Sequence, residues 1–168
     1  MAKDPLTVEA ILGVLETTPD RLASATAGVA AISLRTRPEP DEWSAVEVLA
    51  HLRSCADVWG EYIADITQRG VTTIHTVNPT TWAQQTDYDQ LEFAPSLRAF
   101  NEQRSTLLAL LHTFTAEDWG RTVTVTGAGA PLTKSVLSYG DRMARHERPH
   151  VKQIERAVAS GRARSGDR

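Results

Sequence analysis

The stretch SAVEVLAHLRSCADVWGEYIADI, residues 44–66, decides the fold of this chain. Ser44 and Glu47 match the capping-box pattern, in which each side chain satisfies a backbone amide at the start of a helix. Apolar residues then recur in steps of three and four, the spacing of a helix that buries one face. We therefore predict a helix over residues 44–68, with Gly70 just beyond its end. The apolar row comprises Leu49, Leu52, Ala56, Trp59, Ile63 and Ile66.

Three further segments show helical periodicity. The first covers residues 7–32 and contains Pro19, which either kinks one helix or begins a second. The others cover residues 96–114 and 133–160. With the helix described above, they predict an all-α four-helix bundle.

The two long connections between these helices lack helical periodicity. Residues 71–93 are long for a bundle loop and predict a crossover between the second and third helices. Residues 115–132 contain alternating valines, the pattern of a short strand or a loop, and we assign them as loop. We place residues 1–160 in a single domain and predict that the basic tail, residues 161–168, is disordered.

Composition limits the class of protein. The chain has 168 residues, 41% hydrophobic and 23% charged, as in a globular domain. A net charge of −3 argues against a nucleic-acid-binding protein. The single cysteine, Cys55, excludes an internal disulfide and favours a reducing compartment. Because no signal-peptide pattern and no apolar run of ~18 residues is present, we predict a cytoplasmic protein that does not enter membranes.

Three histidines are candidates for a metal site. His146 and His150 are four residues apart and share one helix face, while His51 lies beside the core row of the second helix. If those helices are antiparallel, the helical rise of about 1.5 Å per residue brings the three to similar depth. Three neutral imidazoles leave the fourth position of a divalent metal open, as in catalytic zinc sites. Alternatively, they are packing residues held by protein partners.

Pro149 interrupts the HERPH segment, residues 146–150. Inside a helix it costs about 3 kcal/mol. It therefore indicates either a kink kept for a site or two helices that meet at Arg148. The remaining histidines, His75 and His112, share no face with the three candidates, and we expect both at the surface.

Five other residues are candidates for lining a substrate pocket. Cys55 follows His51 by one turn and is either a further ligand or a small apolar packing residue. Arg104 occupies a core-row position, from which its side chain either runs out to solvent at the bundle edge or reaches a polar pocket. Aromatic and methionine rows at helical spacing are usually core. The five candidates are Cys55, Tyr62, Arg104, Tyr139 and Met143.

Several of these residues carry a family resemblance. The stretch WSAVEVLAHL (residues 43–52), followed by His146-x-x-x-His150, resembles the DinB/YfiT-like superfamily of bacterial four-helix proteins, and TPDRL (18–22) and PDEWS (40–44) fit its preceding segments. The resemblance implies an up-down-down-up helix order. It also implies a divalent metal, zinc or nickel, bound by one histidine of the second helix and two of the fourth. At the matching positions these are His51, His146 and His150.

Relatives of this kind include thiol-dependent S-transferases and mycothiol-dependent maleylpyruvate isomerases. The resemblance therefore implies a metal-dependent transferase or hydrolase that uses a low-molecular-weight thiol or water against a small electrophile. A non-catalytic metal-binding or stress-response bundle is the alternative. An open pocket over the metal would favour the enzyme, and a fourth protein ligand would favour the alternative. The long amphipathic helices are also compatible with a homodimer.

Overall fold

The structure is a computed structural model that describes residues 4–166. Four long helices form a bundle, and three short helices and a small three-stranded sheet occupy the connections. In chain order the elements are α1 (Val8–Thr26), α2 (Ala31–Arg35), α3 (Ala45–Thr67), β1 (Thr73–His75), α4 (Pro79–Ala83), α5 (Phe93–Leu111), α6 (Ala116–Gly120), β2 (Thr122–Thr126), β3 (Leu132–Ser135) and α7 (Val136–Gly166).

Contacts between the long helices confirm the predicted up-down-down-up order. Helices α1 and α7 run in the same direction, as do α3 and α5, whereas α3 and α7 are antiparallel. The contacts that fix these directions are the Leu6 backbone amide, just before α1, with Asp141 and Arg21 with Glu155 (α1 and α7), Arg53 with Ser96 and Asp57 with Gln103 (α3 and α5), and His51 with His150 and Tyr62 with Tyr139 (α3 and α7).

Helix α3 begins as the capping box predicts. The Glu47 amide donates to Ser44 Oγ at 3.2 Å, and the Ser44 amide donates to Glu47 Oε2 at 2.8 Å. Its core row is buried between the other long helices, and the chain leaves the helix through Gly70, whose φ is +64°. Local signals thus position the helix that carries His51.

Helix α1 passes through Pro19 without a break, so the alternative of a second helix starting there is wrong. Proline has no N–H, and the carbonyl of Leu15, four residues earlier, therefore lacks its helical donor. Arg104 Nη1 of α5 donates to that carbonyl at 3.1 Å. A side chain from a neighbouring helix thereby supplies the hydrogen-bond donor that the proline lacks.

Both long connections between the bundle helices contain strands. β1 pairs with β2 in parallel and β2 pairs with β3 antiparallel, in the order β1-β2-β3. The loop assignment of residues 115–132 is therefore wrong: its alternating valines belong to β2, where Val123 is buried. The crossover, residues 71–93, holds β1 and α4. β1, three residues long, is too short for a distinct sequence signal, and its pairing with β2 joins distant segments of the chain.

Helix α7 is continuous through Pro149, so two helices meeting at Arg148 is also wrong. It extends to Gly166, beyond the predicted end at Ser160. Residues 161–166 are therefore helical where we predicted a disordered tail, and residues 167 and 168 lie outside the described residues. Across residues 4–166, no helix combines the length and the apolarity that crossing a bilayer requires.

Candidate metal centre

The antiparallel pair α3 and α7 brings the three predicted histidines together. His51 Nε2 lies 3.0 Å from His146 Nε2, and His150 Nε2 lies 3.2 Å from the same atom. His51 and His150 therefore both direct their Nε2 atoms at the Nε2 atom of His146.

These distances match those expected of metal ligands. In a tetrahedral site with metal–nitrogen bonds of about 2.0–2.1 Å, two ligand nitrogens lie about 3.3–3.4 Å apart. The observed separations of 3.0 and 3.2 Å are close to that value. Imidazole nitrogens suit zinc, nickel, copper and iron. The donor set therefore fits a divalent transition metal, and it leaves the choice among these metals open.

His51 and His146 are held neutral, the form that binds a metal. Burial, with a contribution from His150, lowers the pKa of His51 to about 4. Burial and the neighbouring imidazoles lower the pKa of His146 to about 3. His150 Nδ1 lies 3.0 Å from Gln153 Oε1, and donation of its N–H there leaves the Nε2 lone pair facing the cluster. His146 Nδ1 is buried and has no hydrogen-bond partner within residues 4–166.

Cys55 is a fourth potential donor. Its Sγ lies 3.6 Å from His51 Nε2 and 4.0 Å from His146 Nε2. At a tetrahedral zinc ion a thiolate sulfur and an imidazole nitrogen lie about 3.6 Å apart. The ligand atoms of His51, Cys55 and His146 all lie within 4.8 Å of one another, and these three residues form a donor group that could hold a metal ion. Burial raises the pKa of the Cys55 thiol to about 12, so the thiol stays protonated at neutral pH unless a metal binds it.

Two tryptophans enclose the cluster. The Trp43 ring lies 5.2 Å from the His51 ring and stacks on the His150 ring at 6.4 Å, and the Trp59 ring contacts His146 at 5.0 Å. Trp43 is 38% exposed and marks the solvent side of the site. The sequence reasoning gave Trp43 no role in the site. Its position directly before the helix cap is the available signal, because an apolar residue there packs on the following turns.

The aromatic candidates lie in the core between α3 and α7. Tyr62, Tyr139 and Met143 are buried in the same apolar cluster as Cys55 and Trp59. The Tyr62 and Tyr139 rings are 5.4 Å apart, and burial raises the pKa of Tyr139 to about 12. Tyr62 Oη accepts a hydrogen bond from the Val77 amide at 2.6 Å. Contact of these side chains with a substrate stays a prediction.

Arg104 neither extends to solvent nor reaches an open pocket. Its guanidinium binds the carboxylate of Glu147, and both side chains are almost fully buried. The expectation that Arg104 leaves the core at the bundle edge is therefore wrong. The expected surface positions of the other two histidines are confirmed: both are exposed, and His112 pairs with Glu16 at 3.0 Å.

A cavity of about 1110 Å³ lies between α3 and α5 beneath the crossover. Asp57 ties the crossover to α3, accepting from Trp82 Nε1 at 3.0 Å and from the Tyr88 hydroxyl at 2.9 Å. None of the three clustered histidines lines this cavity, which is therefore separate from the metal centre. Its walls include Ala56, Asp57, Gly60, Trp82, Tyr88 and Leu107.

Fold and site together define a four-helix bundle protein with donor side chains for a metal ion. The chain belongs to the DinB superfamily, whose family model matches residues 14–154. Its fold is similar to that of YfiT from Bacillus subtilis, described as a probable metal-dependent hydrolase with an unusual four-helix bundle topology. The two share 17% identity and a TM-score of 0.76 over 94% of this chain and 90% of YfiT.

A second similar structure is that of a Streptococcus pneumoniae protein. It shares 13% identity and a TM-score of 0.66, over 94% of this chain and 95% of the other. At these identities the likeness establishes the fold alone. No curated protein matches the chain.

Proposed function

We propose that this protein is a metal-dependent enzyme whose site, built from His51, His146 and His150, directs a nucleophile at a small electrophilic substrate. The observation that carries the proposal is that His146 Nε2 lies 3.0 Å from His51 Nε2 on the antiparallel helix and 3.2 Å from His150 Nε2 on its own helix. Family membership and the fold shared with YfiT support it.

When bound, a metal ion at this site supplies a Lewis acid that lowers the pKa of a coordinated water or thiol toward neutrality. The protein's own groups prepare the site. The low pKa values of His51 and His146 keep their Nε2 atoms unprotonated. Gln153 fixes the His150 ring, and Trp43 and Trp59 limit the access of water. The nucleophile is water in a hydrolase, or a low-molecular-weight thiol in a transferase. Zinc and nickel are the metals we propose.

A non-catalytic metal-binding bundle is the second candidate, and the position of Cys55 favours it. A fourth protein ligand closes the coordination sphere, as in structural zinc sites. The Sγ distances of 3.6 and 4.0 Å allow Cys55 to take that position.

Elemental analysis of purified, tag-free protein tests the site itself. We expect about one transition-metal ion per chain, lost in both His51→Ala and His150→Ala. His75→Ala, at an exposed histidine outside the cluster, is the matched control and should keep the metal. Wild-type protein that contains no metal, and takes none up on titration at neutral pH, would refute the proposal.

Cobalt(II) substitution separates the two candidates. A near-ultraviolet sulfur-to-cobalt charge-transfer band that disappears in Cys55→Ser would show a closed site and favour the non-catalytic protein. Cobalt binding without that band would show a free position. Turnover with a panel of thiols and small electrophiles is then expected, and its loss in His146→Ala would tie it to the site.

We also propose a cytoplasmic location and a homodimer. The lone cysteine is the basis for the first, and the long amphipathic helices are the basis for the second. Light scattering on the eluted protein tests the dimer, and a monomer at working concentration would contradict it.

A further inference from the structure

One guanidinium joins three of the four long helices. Arg104 of α5 is 2% exposed. Its Nη1 donates to Glu147 Oε2 of α7 at 3.0 Å and to the Leu15 carbonyl of α1 at 3.1 Å, and its Nη2 donates to Glu147 Oε1. The pair is bidentate, which fixes its geometry as well as its charge.

The acceptor on α1 is available because of Pro19. With any other residue at position 19, its backbone amide would donate to the Leu15 carbonyl, but proline has no N–H. A buried carbonyl without a donor is unfavourable, so Arg104 has a defined place to bind on α1. This hydrogen bond to α1, together with the ion pair to Glu147 of α7, fixes the position of the guanidinium between the two helices.

On α7 the ion pair lies at the level of the metal centre. Glu147 follows His146 directly and precedes Pro149, which removes another helical hydrogen bond and favours bending at this level. Successive helix residues are about 100° apart, so Glu147 projects about 100° from His146 and about 60° from His150. While Glu147 points to Arg104, both histidines are turned towards α3.

Stability is a weak explanation for this pair. Apolar residues of similar volume often replace a buried ion pair with no loss of stability, because desolvation of the charges offsets their attraction. Fixing one geometry among several is the better-supported role of buried charge.

We propose that Arg104 and Glu147 are positioning residues of the metal centre, whose ion pair fixes the rotation of α7 so that His146 and His150 face His51. This inference rests on the proposed metal site.

The test uses the full chain with Pro19→Ala, Arg104→Met and Glu147→Leu combined. The two apolar residues replace the charges, and the alanine amide restores a donor to the Leu15 carbonyl. We expect thermal stability to be kept or raised, while zinc affinity falls roughly 10- to 100-fold and the cobalt(II) ligand-field spectrum changes.

Arg21→Met with Glu155→Leu is the matched control. This exposed pair also joins α1 to α7, with nitrogen and oxygen 2.7 Å apart, and its removal should leave zinc affinity unchanged. If the triple variant does not fold, Arg104→Lys replaces it, because lysine keeps the charge and loses the bidentate contact. Zinc affinity should then fall, although the ion pair remains possible.

The outcomes separate the two proposals. Wild-type affinity and cobalt spectrum in a folded triple variant, or in Arg104→Lys, would overturn the positioning role and leave the metal site standing. Wild-type protein that binds neither zinc nor cobalt would overturn both.

Discussion

The contact between Arg104 and the Leu15 carbonyl predicts a measurable coupling with Pro19. Arg104→Met leaves the Glu147 carboxylate, 2% exposed, without a counterion and the Leu15 carbonyl without a donor. Removing one partner of a buried ion pair costs about 3–5 kcal/mol. For a chain of this size each kcal/mol corresponds to roughly 2–4 °C, so the melting temperature should fall by about 6–20 °C.

Part of that loss belongs to the carbonyl, and Pro19→Ala isolates it. The alanine amide can donate to the Leu15 carbonyl, so Arg104→Met should cost about 1–3 kcal/mol less in the Pro19→Ala background. Urea unfolding followed by circular dichroism, with a chelator in every sample, measures all four corners of the cycle. Pro95→Ala is the control, because Pro95 lies in the first turn of α5, where no helical donor is missing.

Additivity within about 0.5 kcal/mol would refute the proposed link between Pro19 and Arg104. A loss of less than about 1 kcal/mol in the free energy of unfolding of Arg104→Met would also refute this link, since a buried carboxylate without a counterion is far more costly. Coupling of the same size with Pro95→Ala would show that proline removal acts through the unfolded chain.

Three further perturbations test other parts of the molecule. The pKa values of His51 and His146 fall from 6.5 in the unfolded chain to about 4 and about 3, so the unfolded state binds more protons between these values. The contribution of these two histidines to the free energy of unfolding of the metal-free protein should therefore be fully present above pH 6.5 and be lost as the pH falls towards 3. A urea midpoint that does not change with pH over this range would contradict the prediction. Ser44→Ala removes the cap of α3 and should cost about 1 kcal/mol in urea unfolding; an unchanged midpoint would argue against the capping box. Gly127→Ala should destabilise the protein because the φ of Gly127 is +92° and a Cβ there would lie 2.5 Å from the imidazole of His75. Gly13→Ala, in open space on α1, should stabilise the protein by about 0.5–1 kcal/mol. Equal changes in the urea midpoint for the two variants would contradict the left-handed backbone conformation of Gly127.

The elements that the sequence predicts well are those with local signals. Helix α3 has a cap, an apolar row and a glycine after its end, all within one stretch, and each indicates the same boundaries. His146 and His150 share a face because of their spacing alone. The proximity of these two histidines to His51 depends on the relative direction of α3 and α7. The sequence does not determine that direction, because the long crossover is compatible with either one.

The features that sequence reasoning missed depend on distant partners. β1 is three residues long and is recognisable only once it pairs with β2, about fifty positions later. The role of Arg104 depends on Glu147, 43 positions away, and on Leu15, 89 positions away. A sequence pattern shows a charged residue on a core face, but it does not show which opposite charge will lie beside it.

The contact between His51 and His146 joins residues 95 positions apart. A metal ion bound there would act as a cross-link that closes a loop of that length, which in the unfolded chain corresponds to roughly 4–5 kcal/mol of lost entropy. Such a link forms only after α3 and α7 have docked, so it would lower the rate of unfolding much more than it would raise the rate of folding. The loaded protein should therefore resist proteolysis and heat for longer, and the rate at which it loses its metal should set its lifetime.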